Sequence, residues 1–541
     1  MSEKDLNLGR RKFMAVSSAA IAAPIFMNMA GALPDVKGSG KTYSFVDRKE
    51  CDLVVAGSGS GMVAAVRAAL AGYKVIILEK TKIIGGGTLF ASTMRTFGSK
   101  WQKERNLPDV TAQYARRMLD DCYWRIEPQL VANILKATGE FFDWFCEYCK
   151  ISGDTFKVGR YVFDDDNGPL GPQYGVQHNG FGRMVIENLL KRCPELGIQV
   201  LSEHKVVDCE CEGRKITALI AETKDGFVRV SNKACLLATG SWINNRKITE
   251  KIHPGFFDID MGASSHTNPA YTGDGIPIAE KAGALVDYDS FCLRLMGPMF
   301  IVSNRTYSGM AVSPYSISVN LLGKRYASEP LIGHMDQFNG GHVVGAQPKG
   351  KVFAIFSENI LRKAMVLGDG GLIIADQILR GQKLPNTIEE CHADINEALA
   401  KLKNCFRADT LEGLADTLGI DKKGLLATIA EYNQYCKDGF DWGFYKPQST
   451  LIPFTEGPYY AVSGFMATDG AFGGVKVNPD MQAYKADRKS LVEGLYVTGD
   501  FASGRHINLG GVKRQFINDM NWSLSGSYIV GDRVARYLAS L

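Results

Sequence analysis

Four features are missing from this chain of 541 residues, and each rules out a class of function. Charge of one sign is the first. Lys and Arg total 62 against 58 Asp and Glu, a formal +4, so no field draws nucleic acid or an acidic partner. Residues 1–32 hold four of those basic residues and only two acids, so the remainder is nearer neutral still. The second is a Cys-x-x-Cys-His motif, which leaves no site for covalently attached haem. The third is a second cysteine pair: Cys146 and Cys149 lie one helical turn apart in FFDWFCEYC, but no partner pair at metal-site spacing follows, so no metal centre is expected. The twelve cysteines are otherwise scattered and read as buried free thiols. The fourth is a bilayer span. The apolar stretch at residues 15–32 is short and broken by Ser17, Ser18, Pro24 and Asn28.

What is present begins at the N-terminus. Gly9-Arg10-Arg11-Lys12-Phe13-Met14 precedes that mild apolar stretch, which closes on Ala30-Gly31-Ala32. This resembles a twin-arginine signal peptide over residues 1–32 with an A-x-A cleavage site. That route exports folded proteins, which suits a protein loaded with cofactor in the cytosol. The expected location is therefore periplasmic or otherwise extracytoplasmic, with membrane association only through an electron donor. Residues 33–50, with Lys37-Gly-Ser-Gly-Lys41, read as a linker.

Residues 51–88, CDLVVAGSGSGMVAAVRAALAGYKVIILEKTKIIGGGT, organise the rest. The apolar run Leu53–Ala56 predicts a parallel strand covered on both faces. It breaks at Gly57-Ser58-Gly59-Ser60-Gly61, an Ala-rich helix follows to residue 70, and a second strand at 74–78 is closed by Glu79. Such a βαβ unit lets a pyrophosphate sit on bare amides at a helix N-terminus. Glu79, about 20 residues on, is placed to accept from an adenosine ribose. Counting back from Glu79 makes Gly61 the closing glycine, so the loop is GxGxG, one residue shorter than usual.

Further on, Gly85-Gly86-Gly87-Thr88 is a second glycine turn able to approach a cofactor. Residues 110–150 have helical period and many aromatics, the pattern of a core. Another helix starts at Phe181-Gly182-Arg183. Residues 198–237 then read as a strand, a β-meander and a buried strand that ends at Ala238-Thr239-Gly240.

These segments, with Thr272-Gly273-Asp274-Gly275, Pro458-Tyr459-Tyr460-Ala461, Phe472-Gly473-Gly474 and Gly494-Leu495-Tyr496-Val497-Thr498-Gly499-Asp500, resemble the FAD-dependent fumarate reductase and 3-ketosteroid dehydrogenase flavoproteins. The resemblance spans roughly residues 51–541. It implies an α/β fold in which a Rossmann-like FAD-binding domain, 51–289 and 456–541, is interrupted by an α+β cap at 290–455. It implies FAD as cofactor, with contacts at Gly57, Gly59, Ser60, Gly61, Glu79, Lys80, Gly87, Thr88, Thr93, Val206, Ala238, Asp274, Asp500, Asp519 and Met520. Asp500 follows a buried strand, where its carboxylate can accept from a ribityl hydroxyl. Asn518 and Asp519 are fit to cap the last helix, at 520–538, whose N-terminus would stabilise charge on the reduced flavin.

The same resemblance fails at the substrate. Fumarate reductases clamp a dicarboxylate with histidines and arginines; the corresponding positions here are Arg294, Ser308, Gly309, Val312, Gly333 and Gly470, and the arginine of Asn-Arg-Leu-Gly-Gly has no counterpart near Leu509-Gly510. Two carboxylates held out of water need such cations, so fumarate is not the expected substrate. The tyrosine and Tyr-Pro-Gly-Pro-Gly of ketosteroid dehydrogenases are also missing. Candidates for the chemistry are His334, one residue from the lost proton-donating arginine, and Arg294, in place of a substrate-facing histidine. Tyr315, Arg505 and His506 are weaker ones. The leading expectation is an exported ene reductase acting on an aromatic or polycyclic enoate or enone, a respiratory electron sink fed by a separate membrane-linked carrier. Alternatives are a ketone dehydrogenase that introduces a double bond, and a flavin protein that only binds or transfers electrons.

Overall fold

In the computed structural model the described residues are 43–91, 93–162, 172–177, 180–259, 269–299, 304–329, 337–367, 385, 387–504, 506–509, 512–515 and 519–541. The expected signal peptide lies outside them. Ser44–Leu541 form one unit.

Its centre is a six-stranded sheet ordered Gln482–Tyr484, Leu491–Val497, Ala234–Leu237, Leu53–Ala56, Val75–Leu78, Gln199–Leu201. All its pairings are parallel except the first, which is antiparallel. Leu53, Val54, Val55 and Ala56 are buried on both faces, as their unbroken apolar run requires. Each such Val or Leu contributes roughly 1.5–3 kcal/mol of burial. Helices Gly61–Leu70 and Asp519–Ala539 pack together. The Ala-rich face of the first lets them approach; Met62 to Val66 are wholly buried.

Residues 45–50, expected as the end of a linker, instead form a strand, Phe45–Glu50, parallel to Gly226–Ser231. It extends the β-meander Lys205–Glu212, Lys215–Thr223 and Gly226–Ser231 into a four-stranded sheet.

The insertion has its own sheet, ordered Cys292–Met299, Tyr459–Phe472, Lys351–Ser357, Ile317–Asn320, with Cys405–Ala408 also on Tyr459–Phe472. It has its own hydrophobic core too, made of residues from Tyr307 to Val462. The central strand of this sheet, Tyr459–Phe472, comes from the segment assigned by sequence to the returning domain. A boundary at 455 therefore cuts through a pairing that holds the insertion together.

All twelve cysteines are free thiols. Burial pushes Cys146 up to about 12 and Cys149 to about 11. That is opposite to the lowered value of a redox-active Cys-x-x-Cys, and both residues pack, half-buried, against the hydrophobic core. Among the described residues no helix is long and apolar enough to cross a membrane.

Candidate cofactor cleft and active site

In an open parallel sheet a cofactor is received at the carboxyl ends of the strands, which here is the region beside the central Leu53–Ala56 strand, called the cleft below. The first glycine turn is fixed by its neighbours. Gly57 has φ +104°, and a Cβ there would overlap the carbonyl of Ala238. At Gly61 a Cβ would come 2.5 Å from Val55 Cγ1. Gly59 lies against the second turn, where a Cβ would stand 3.1 Å from both Gly85 O and Thr88 Oγ1. The two glycine turns thus pack backbone to backbone.

Glu79 links them. Ser58 donates to its Oε2 through N–H (3.2 Å) and hydroxyl (2.6 Å), and Gly85 N–H donates to that same hydroxyl (2.8 Å). Its other oxygen accepts from Thr81 N–H (2.9 Å) and hydroxyl (3.0 Å). The helix that follows the first turn has no side-chain cap at Ser60 and no acid in its first turn. Its Ala64 N–H is taken by Ser527 Oγ from the C-terminal helix (3.0 Å).

Opposite the turns, Ala238-Thr239-Gly240 ends the neighbouring strand. Thr239 Oγ1 is buried and has no hydrogen-bond partner among the described residues. Lys80 and Asp274, both expected at the cofactor, face each other: Lys80 Nζ lies 2.6 Å from Asp274 Oδ2 and 2.9 Å from Thr272 Oγ1. Val206 and Ala238 are buried, and Asp500 is half-buried directly after the Leu491–Val497 strand. Gly499 beside it abuts Ser60 and accepts from Trp522 Nε1 (3.0 Å). Met520 lies near Gly182, which packs on Thr88 O. Thr93 sits in a short strand paired with Gln177, and Asp519 starts the last helix.

The insertion meets the cleft at the same strand end. Ser241 Oγ accepts from Ala471 N–H (2.8 Å), and Trp242 donates to Gly473 O (3.1 Å) while stacking on Phe291 at 4.8 Å. Ala471 and Gly470 belong to the Tyr459–Phe472 strand, and Gly470 is the register partner of Arg294. Two positions named from the missing clamp are therefore direct cross-strand neighbours, next to Ser241. Ser308 and Gly309 are buried in the helix Arg305–Ala311, with Val312 at its C-cap. Tyr315 is 7% exposed and belongs to the insertion's own core. His334, Gly333 and Arg505 lie outside the described residues; for His506 only the backbone, in strand His506–Leu509, is described. Reasoning from sequence missed Ser241, whose partner Ala471 lies 230 residues on in the chain.

A family profile described as FAD binding domain matches residues 52–511. The chain belongs to that family. Relatives in it include the vinyl phenol reductase of Lactiplantibacillus plantarum, 25% identical over 475 residues that cover 84% of this chain and 90% of that protein. The fumarate reductase (cytochrome) of Shewanella frigidimarina is 27% identical over 504 residues, 90% of this chain and 77% of that one. Among solved structures, the open conformation of a flavocytochrome c3 fumarate reductase superposes with a TM-score of 0.64 at 20% identity, covering 91% of this chain and 79% of that one. At that identity the likeness speaks for the fold. This member of the FAD binding domain family is an FAD-dependent oxidoreductase. The residues present fit that group: close neighbours hold Gly57, Gly59 and Gly61 to glycine, the helix that follows has no acid at its N-terminus, and the buried Thr239 hydroxyl has no hydrogen-bond partner among the described residues.

Proposed function

We propose that this protein reduces an activated C=C bond in an enoate or enone other than fumarate. The observation that carries the reading is the pairing of Arg294 with Gly470 beside Ser241. The register sets position 294 opposite Gly470, where the family resemblance puts substrate-facing residues, so one arginine would serve one carboxylate or carbonyl in place of a set of cations. With Gly309 and Val312 as further neutral replacements, the pocket suits an aromatic or polycyclic acceptor.

FAD, when bound, supplies the two-electron chemistry. The chain's part is to hold and orient. The amides of the glycine turns and of the helix at Gly61–Leu70 would take the pyrophosphate. Glu79 would take the adenosine ribose, one hydroxyl of which replaces that of Ser58 or Thr81. Asp500 would take the ribityl chain, and the last helix, from Asp519 and Met520, the pyrimidine end. Lys80 and Asp274, paired with each other and with Lys205 3.8 Å from Asp274, would close the adenosine side, with Val206 and Ala238 as its apolar wall, and Thr88 and Thr93 would line the flavin side. Arg294 would bind the substrate's carboxylate or carbonyl. His334 is the candidate for delivering the proton, with Tyr315, Arg505 and His506 behind it.

Several relatives carry alkene reduction in their names, among them the vinyl phenol reductase, an NADH:acrylate oxidoreductase and a urocanate reductase. Arg10 and Arg11 support export by the twin-arginine route, with electrons from a separate carrier. The test is an anaerobic assay with reduced viologen against fumarate and a panel of enoates and enones. Turnover of a monocarboxylate or neutral enone is expected. Robust fumarate reduction would overturn the reading, and no turnover in either direction would leave a flavin protein without substrate chemistry.

A further inference from the structure

The second glycine turn contains one glycine that its backbone does not require. Gly85 and Gly86 have φ of +115° and +48°, where other residues are strained. Gly87 has no positive φ, so any residue could adopt its conformation. What forbids a side chain there is Tyr271: a Cβ on Gly87 would overlap the phenol oxygen and come within 3.3 Å of Cζ. The edge of the same ring lies 3.6 Å from where a Cβ on Gly240 would be. One half-buried tyrosine therefore touches both the Gly85–Thr88 turn and the end of the Ala234–Leu237 strand.

Its backbone is pinned for that task. Tyr271 O accepts from Asn244 N–H (2.8 Å), and Thr272 O from Asn245 Nδ2 (3.2 Å). Thr272 Oγ1 and Asp274 are both held by Lys80, and Thr272 Oγ1 donates to Asp274 Oδ1 (2.9 Å). Residues 271–274 thus form a strap tied to two strand ends, with the phenol reaching across to Gly87.

We propose that Tyr271 is an FAD-positioning residue. Its phenol takes the place of the side chain missing at 87, and so sets a hydroxyl and an aromatic edge in the cleft wall beside the second turn. This holds whichever alkene is the substrate. The deletion of one hydrogen-bonding group changes an equilibrium by about three- to tenfold, so Tyr271→Phe should weaken FAD binding by that factor and shift the visible spectrum of the bound flavin. Gly87→Ala should weaken it more, at least tenfold, because the methyl collides with the phenol oxygen. The two changes should not add: Gly87→Ala combined with Tyr271→Phe should bind FAD better than Gly87→Ala alone, since the nearest ring atom is then 3.3 Å away.

The experiment is titration of refolded apoprotein with FAD, followed by flavin fluorescence, on the wild type and these three variants. Circular dichroism and thermal unfolding of each apoprotein control for folding. The expected result is rescue of FAD affinity by the double variant, with the lowered apoprotein melting of Gly87→Ala restored alongside, and a shifted flavin spectrum in Tyr271→Phe, whose apoprotein melts like the wild type. The proposal is overturned if Gly87→Ala binds FAD like the wild type, if the double variant is no better than Gly87→Ala, or if the variants lose apoprotein stability while a fully folded fraction keeps wild-type affinity and spectrum.

Discussion

The helix that begins the cofactor cleft and four helices of the insertion start in different ways. In the insertion, Asn304, Thr387, Thr410 and Asp421 each accept a hydrogen bond from an amide in the first turn of the following helix. At the head of Gly61–Leu70, Ser60 is in helical conformation and accepts none, and no acid stands in the first turn. The nearest candidate cap, the Ser58 hydroxyl, is turned to Glu79. Capping contributes about 0.5–2 kcal/mol; here Met62 and Val63 N–H turn back to Gly59 O and Ser60 O (both 3.2 Å) and Ala64 N–H to Ser527 Oγ, so the amides are answered by neutral groups and no acid offsets the positive end of the helix. Four helices of the insertion answer a first-turn amide with the side chain of the preceding residue; the Gly61–Leu70 helix does not.

The insertion's largest internal satisfaction is a buried ion cluster, and it is the place where breaking the chain should matter most. Arg325 donates from Nε and Nη2 to Glu329 (2.8 and 2.7 Å) and from Nη2 to Asp441 (2.8 Å). Lys446 Nζ lies 3.6 Å from Glu329 and donates to Ser316 O (2.8 Å). All four side chains are nearly or wholly inaccessible. Removing one partner strands a buried charge, at a cost of about 3–5 kcal/mol. Arg325→Met should lower stability by that amount in denaturant unfolding, whereas a charge change on an exposed pair such as Lys401–Glu397 should fall within about 1 kcal/mol. Equal effects would mean that the cluster is solvated.

Alkaline pH separates the two kinds of buried group. Burial raises Cys51 from 9.0 to about 12 and Cys391 to about 11. A thiol whose folded value is raised gives stability that is complete below pH 9 and is lost as pH climbs toward 11–12. Burial lowers Lys446 from 10.5 to about 8, against the pull of Glu329. Between those values the unfolded chain binds the extra proton, so this residue's contribution to stability rises with pH. The thiols are more numerous, so the whole protein should lose stability from pH 9 to 11, as thermal unfolding would show. Lys446→Met should lose more over that range than the wild type does. A shallower fall in the variant would reverse the sign assigned to Lys446.

Much of the cleft was legible because its constraints are local. Gly57, Gly61, Glu79 and the strand Leu53–Ala56 sit within one βαβ unit, where backbone conformation and close approach select residue type directly. Other parts depend on partners far away. Phe45–Glu50 is mostly polar and reads as linker, yet its register is set by Gly226–Ser231, some 180 residues on. Tyr459–Phe472 is one strand that serves both the insertion and the cleft, so no boundary drawn in sequence could divide it. Tyr271 carries no motif of its own; its only trace is the third glycine at 87, unexplained until the ring is seen above it. The Arg325–Asp441 contact joins residues 116 apart.

The helix start that holds no acid can be tested by supplying one. Ser60→Asp places a carboxylate where the pyrophosphate is expected, and Ser60→Asn has almost the same size without the charge. If this N-terminus is an anion site, Asp should weaken FAD binding at least tenfold more than Asn, by titration of apoprotein at low ionic strength. Salt should narrow the gap, since screening acts on the charge and not on the volume. Equal losses would assign the effect to crowding against Gly499, which lies close to Ser60 Oγ.

The smallest effect tests the other side of the comparison. Thr410 Oγ1 accepts from Gly413 N–H at 3.0 Å and starts the helix Leu411–Leu418, which ends on Gly419 in the left-handed conformation. The helix spans eight residues, too short to persist without its caps and its packing. Thr410→Ala should therefore cost about 1 kcal/mol in denaturant unfolding, and Thr410→Ser should restore most of it because the accepting oxygen returns. Neither change should alter FAD affinity, because this cap answers an amide inside the insertion and nothing in the cleft. A Thr410→Ala variant that bound FAD more weakly while keeping its stability would show that the insertion's caps serve the cofactor as well, and the contrast between the two kinds of helix start would fail.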